Sequence, residues 1–264
     1  MIDVSIESVG LIAPGLHGWK QSTPVLRGEA PFQPLPLPPL KPAMLKPNER
    51  RRTTQTIKLA LEVSDDALSQ RSKQPELLSV FASSNGDLDV INQICSALTL
   101  DDRPVSPTQF HNSVHNAPAG YWSIATGYQQ VSTSIAGLEG TFAAGLLEAA
   151  VLTKTENKKV LLVAYDLPAP DPLREVITVN DTFAASLLIS HKSESGDKLA
   201  DLKLRLKPDL SESRMQHSLM EAKRVATPAA RSLPLLEALA LKRHASMCVP
   251  YLPDMKLSIE CIPC

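Results

Sequence analysis

The sequence lacks the features that mark several whole classes of protein. No apolar run approaches the roughly 18–20 residues that cross a bilayer, and mean hydropathy is −0.06, so no membrane span is expected. Charge of neither sign is in excess. The formal net charge is −1, which argues against a nucleic acid or an anionic membrane as partner. The opening residues, MIDVSIESVG, carry acids early and alternate like a strand, without the basic and apolar regions of a secretory signal. A soluble, cytoplasmic protein is the expectation. There are four cysteines, Cys95, Cys248, Cys261 and Cys264. The last two read Cys-Ile-Pro-Cys, but no second pair and no adjacent helix start accompanies them, which argues against zinc or redox chemistry. Cys95 falls in an amphipathic stretch and reads as a small buried hydrophobe. There is no internal repeat.

What is present suffices for a sizeable core: 264 residues, 43% of them hydrophobic, expected as one domain across 1–264. Residues 2–12 alternate as an opening strand. Eight of the 22 prolines fall between Pro24 and Pro47. Proline fixes φ and removes a donor, so residues 24–47 should form an extended, irregular arm. Its leucines (Leu35, Leu37, Leu40, Leu45) suit packing on a surface or a partner better than an SH3-type ligand. The charge run at 49–52 reads as a solvated helix start, and its arginines could also steer an acidic partner. The helix expected at 53–70 places Ile57, Ala60, Leu61, Ala67 and Leu68 on one face. A buried strand at 77–82 ends in the turn 83–87. A helix follows at 88–98, with Ile91, Ile94, Cys95 and Leu98 at i, i+3, i+4 and i+7.

Further on, the alternation of strands and helices runs from residue 77 to a strand at 159–164 that is apolar on both faces, as a central strand should be. This β–α–β–α–β order predicts a largely parallel sheet covered by helices. Strands are also expected at 176–179, 183–190, 201–207 (an edge strand) and 256–261, and a helix at 232–242. Residues 193–197 and 212–223 read as surface connections.

Residues 110–166 carry a resemblance. Asn116-Ala117-Pro118-Ala119-Gly120, the turn after a strand, the small-residue helix at 140–151 and the run VLLVAYD are similar to the nucleophile region of β-ketoacyl synthases, in the thiolase-like superfamily. The resemblance implies an α/β fold, a thiolase-like half-fold with a mixed five-stranded sheet layered between helices. In that family a cysteine caps the central helix, and two histidines come from later motifs. Laid over this sequence without a gap, the cysteine position holds Glu139. None of His17, His111, His115, His191, His217 and His244 sits in a matching context. Chain-length-factor subunits place a glutamine at the same position. Neighbouring family residues are also replaced: a Gly-Pro before the strand by Gln130-Val131, a Thr-Ala ahead of the cysteine position by Gly137-Leu138, and a glycine pair after the central strand by Ala164-Tyr165.

The resemblance therefore implies no catalytic residue. The chain resembles the chain-length-factor subunit of aryl polyene ketosynthase heterodimers. Its expected partners are a full-length ketosynthase and, through that complex, an acyl carrier protein. No cofactor or metal is implied. In dimerising relatives the segment matching 107–115 crosses the interface and closes the partner's acyl tunnel. Phe110, Val114 and Trp122 become candidates to face that channel. His111 and His115, four apart, would share a helix face as hydrogen-bonding interface residues beside Asn116. Rival readings are an acyl-processing or decarboxylating enzyme using Glu139, His111 or His115, and a homodimeric scaffold.

Overall fold

The computed structural model describes residues 1–70, 77–191, 198–208 and 210–264. Its organising element is β1 (Ile2–Ala13), buried along nearly its whole length. At twelve residues it is long enough to pair on both sides. Ile2–Ile6 run antiparallel to β7 (Ala200–Lys207), and Ser5–Ile12 run antiparallel to β6 (Phe183–Ser190). A two-residue β2 (Leu16–His17) folds back on its end.

β6 pairs antiparallel with β5 (Val160–Asp166). β5 is parallel to β3 (Leu78–Ala82), which is parallel to β4 (Ser132–Ile135). Beyond β7 come β9 (Met255–Pro263) and β8 (Ala245–Leu252), both antiparallel. Among the described residues the sheet has nine strands in the order β4-β3-β5-β6-β1-β7-β9-β8, with β2 on β1. The α/β class and the mixed sheet match the expectation, but the count of five does not. Five strands end at β1, and the length of β1 lets three more join.

Three local expectations are corrected with it. β7 is flanked by β1 and β9 and is not an edge. Residues 176–179 form no strand, because a 3₁₀ turn (Leu173–Glu175) precedes them and the Ile177 N–H is used on the Leu173 carbonyl. Residues 212–223 are not merely a connection. A helix over Ser218–Ala226 begins among them and buries Met220, Lys223 and Arg224. Its charges read as solvated in sequence, yet Lys223 pairs with Asp181, and Arg224 makes two 2.8 Å bonds to Glu221. The connection expected at 193–197 lies outside the described residues. β8 was not expected, and Pro250 sits where its register slips, a position at which a missing donor is tolerated.

Helices cover both faces. In chain order they are α1 (Trp19–Leu26), α2 (Pro47–Arg52), α3 (Gln55–Leu68), α4 (Leu88–Leu98), α5 (Pro107–Asn112), α6 (Ala117–Thr126), α7 (Thr141–Glu156), α8 (Ser218–Ala226) and α9 (Leu233–Leu241). Alternation within the strands separates two cores. Val4, Ile6, Val80, Leu162 and Leu187 point one way, towards α7 and α9. Phe81, Leu161, Val163, Tyr165 and Leu188 point the other way, towards α3 and α6. α7 lies close to the sheet because Gly145 faces it: a Cβ there would stand 2.8 Å from Ala82 Cβ and 2.9 Å from Leu162 Cδ1.

The arm is irregular over residues 29–46 only, so the expected span of 24–47 is too long: Pro24 lies inside α1, and Pro47 takes the first turn of α2, where its missing donor costs nothing. It lies on its own chain: Leu45 is buried, and Leu37, Leu40 and Met44 pack against the α3 core, while Leu35 is exposed. The Lys41 N–H donates to Glu62 Oε2 (2.6 Å). Among the described residues no helix is long and apolar enough to cross a membrane.

Candidate functional site

Two neighbourhoods hold the residues singled out by sequence. The first is the turn between β4 and α7. After Ile135 the chain passes into a 3₁₀ turn over Leu138–Gly140, then directly into α7. Leu138 is left-handed (φ 50°), which costs a non-glycine residue about 1–2 kcal/mol. Two further features hold the turn in place. The Thr141 hydroxyl accepts from the Gly137 N–H (3.0 Å) and donates to the Leu138 carbonyl (2.6 Å). Gly140 abuts β8 so closely that a Cβ would lie 2.1 Å from the Tyr251 oxygen.

Glu139 thus sits at the start of the central helix, where the dipole favours an anion. Its side chain is 51% exposed, and Oε2 accepts from Arg231 Nη2 at 2.7 Å. Arg231 is far more buried, at 11%, and reaches Glu212 Oε2 at 3.9 Å with its other terminal nitrogen. A carboxylate cannot be acylated to a thioester, and this one is engaged by a guanidinium. Arg231 was missed by sequence reasoning. It lies 92 residues from Glu139, in the 3₁₀ turn Pro228–Ser232, and no local pattern signals the pair.

That 3₁₀ turn is fastened by a fully buried carboxylate at the end of β5. Asp166 Oδ2 accepts from the Ala229 N–H (3.1 Å). Its Oδ1 accepts from Ser83 Oγ (3.1 Å), Ser84 Oγ (2.8 Å) and the Ser84 N–H (2.8 Å). Burial pushes the Asp166 carboxyl up to about 6, against the downward pull of those four donors. Asp166 therefore ties the β3–α4 turn to the segment that carries Arg231.

The second neighbourhood is an open groove of about 510 Å³ along α5 and α6. Phe110, Val114 and Ile124, all more than half exposed, form its walls. Ala117 and Gly120 contribute small floor positions. His111 and Tyr121 stand at one end, rings edge-on at 6.1 Å. Asn116 is exposed on the rim, at the N-cap of α6, without a side-chain capping bond. Ile124 was missed, although Ala117, Gly120, Tyr121 and Ile124 carry the i, i+3, i+4, i+7 spacing that could have found it.

The groove does not take in every predicted residue. Trp122 is 1% exposed and packs against Phe81 and Tyr128, so it faces the core and not a channel. Helical rotation puts it opposite the Gly120–Ile124 edge. His111 and His115 do not share a helix face, because α5 ends at Asn112. His115 turns inward instead, with Nε2 2.9 Å from the Ser83 carbonyl. Cys95 is exposed, contrary to its expected burial, as is most of its face of α4. Cys261 is buried in β9. Burial, with the charge at Cys264 beside it, pushes its thiol up to about 11, away from the thiolate that redox or metal chemistry needs. Among the described residues no three His, Cys, Asp or Glu side chains stand together as a metal set.

With this geometry in place, comparison with known proteins is informative. Among curated proteins none matches the sequence. A chain of the solved "Ketosynthase (ApeO) in Complex with its Chain Length Factor (ApeC) from Xenorhabdus doucetiae" superimposes with a TM-score of 0.76 and 22% identity, over 98% of this chain and 100% of that one. The ishigamide ketosynthase/chain length factor gives 0.76 at 14% identity, over 100% and 99%. A type II polyketide ketosynthase with its acyl-carrier protein, AntDE:AntF, gives 0.74 at 10% identity, over the whole of both chains. At these identities the likeness establishes the fold. The profile described as "Beta-ketoacyl synthase, N-terminal domain" matches residues 19–250, most of the sequence, and the chain belongs to that family.

Proposed function

We propose that this chain is a non-catalytic, chain-length-factor-like subunit that pairs with a full-length β-ketoacyl synthase and shapes its acyl tunnel, in aryl polyene or related polyketide-like biosynthesis. The observation that carries the reading is the ion pair at the head of α7. Where the family's acylated sulfur is expected, Glu139 is held by Arg231. An elbow closed in this way has lost the nucleophile but kept the fold that presented it.

The apolar face supports the partner half of the reading. Ile91, Leu98 and Leu100 are exposed in and after α4, Phe110, Val114 and Ile124 along the groove, and Val131 just before β4. Apolar side chains concentrated on neighbouring elements mark an interaction surface. β4 is the sheet's terminal strand, with no strand on its outer side among the described residues. Solved neighbours in the fold include ketosynthases in complex with a chain length factor, and one with an acyl-carrier protein. The carrier protein of this system would reach the chain through the complex.

Co-expression with a full-length ketosynthase, followed by size determination and product analysis, tests the proposal. A stable heterodimer is expected, whose product lengths respond to groove substitutions while turnover survives Glu139→Ala. Loss of turnover in that variant at normal complex yield would favour chemistry at Glu139. A stable homodimer indifferent to the ketosynthase would favour a scaffold.

A further inference from the structure

We propose that the pocket between residues 210–214, α8 and the start of β9 binds a small molecule bearing a terminal phosphate or diphosphate. The pocket encloses about 570 Å³, and its lining is polar: Ser211, Glu212, Arg214, Arg224 and Lys256, with Leu210 as the apolar exception. It lies apart from the α5–α6 groove and shares no lining residue with it.

The charge arrangement is unbalanced. Glu212 alone serves three cations: Lys256 Nζ at 3.3 Å, Arg224 Nη1 at 3.5 Å and Arg231 Nη1 at 3.9 Å. Two of these are too long for strong hydrogen bonds. Glu221 neutralises Arg224 through its two short bonds. Glu139 takes up Arg231. Arg214 is exposed and has no ion pair among the described residues. Lys207 stands directly opposite Lys256 in the β7–β9 ladder, a like-charge cross-strand pair that destabilises a sheet unless an anion answers it. Among the described residues, five cations (Lys207, Arg214, Arg224, Arg231, Lys256) meet three carboxylates (Glu139, Glu212, Glu221), two more positive charges than negative.

The walls are fixed in advance. The Ser213 N–H donates to the Cys248 carbonyl (2.9 Å), and Ser213 Oγ accepts from the Cys248 N–H (3.0 Å), pinning this loop to β8. Arg224 is buried and held rigid. A compact dianion supplies both missing charges and several acceptor oxygens in one group, which suits a guanidinium and two ammonium groups. A simple carboxylate or a phosphodiester, with one charge, would leave the excess half answered.

Calorimetric titration of the full chain with inorganic pyrophosphate at low ionic strength tests this. A single saturable site is expected, with a Kd of order 0.1–1 mM, weakening as salt rises. Arg214→Gln and Lys256→Gln should each weaken binding about tenfold, the loss of one charge-assisted contact. Lys207→Gln, at an exposed position, gives a third reading should Lys256→Gln perturb the fold. Arg51→Gln, a cation in α2 outside this pocket, should bind as the parent does. Absence of saturable heat up to about 10 mM, or an equal loss in Arg51→Gln, would overturn the assignment.

Discussion

α7 and α4 make an instructive pair. Both follow a parallel strand through a tight turn, and both carry apolar side chains at helical spacing. α7 places Phe142, Leu146, Ala149 and Ala150 in the core with essentially no exposure. α4 buries only Val90, while Ile91, Cys95 and Leu98 face outward. Periodicity thus fixes that a helix forms and which residues share a face, but not what that face meets. Where the fold supplies no cover for an apolar face, the hydrophobic effect favours cover from another chain.

The contrast can be broken by substitution. Leu146→Ala, in the buried helix, should cost about 2–5 kcal/mol, read as a shift in the denaturant midpoint of the isolated chain. Leu98→Ala, on the open helix, should stay within about 0.5 kcal/mol by the same assay. An equal loss in both would erase the distinction. Asp166 comes next in size. Its folded-state pKa of about 6 lies above the ordinary 3.8, so its contribution is fully present below about pH 4 and is lost as pH rises through 6. The span is of order 3 kcal/mol, and Asp166→Asn should remove it. Identical slopes of stability against pH for the two proteins would contradict the burial argument.

Phe110→Ala should leave the isolated chain's stability nearly unchanged while weakening the ketosynthase complex by about 2 kcal/mol, as an anchor at an interface centre does. Unchanged affinity would remove the groove from the interface. Replacing Val114 with tryptophan should shorten the products of the complex, and an unaltered length distribution would take that position out of the tunnel. A smaller effect is expected of Arg231→Ala, which should cost the isolated chain about 1 kcal/mol or less, because its partner carboxylate is half exposed.

Much of this was legible in the sequence. The turn at 138–140 and the small-residue helix behind it are implied by the resemblance to the ketosynthase nucleophile region, the strand VLLVAYD also by its apolar run, and all three are formed. The arm was readable in part: residues 29–46 hold no regular element and Leu45 is covered, but Pro24 sits within α1. What escaped depends on distant partners. The Glu139–Arg231 pair joins positions far apart in the chain, and β8 required β9 as a template. Trp122 and Cys95 were assigned the wrong side for one shared reason. A helix's apolar stripe reveals its neighbours only when the rest of the fold is placed, and here Trp122 found Phe81 while Cys95 found solvent.

Intact-mass measurement of both subunits, after the complex is incubated with an acyl-loaded carrier protein, tests the central claim most directly. The acyl increment should appear on the ketosynthase alone, with this chain keeping its unmodified mass. An adduct on this chain, abolished by Glu139→Ala, would contradict the account.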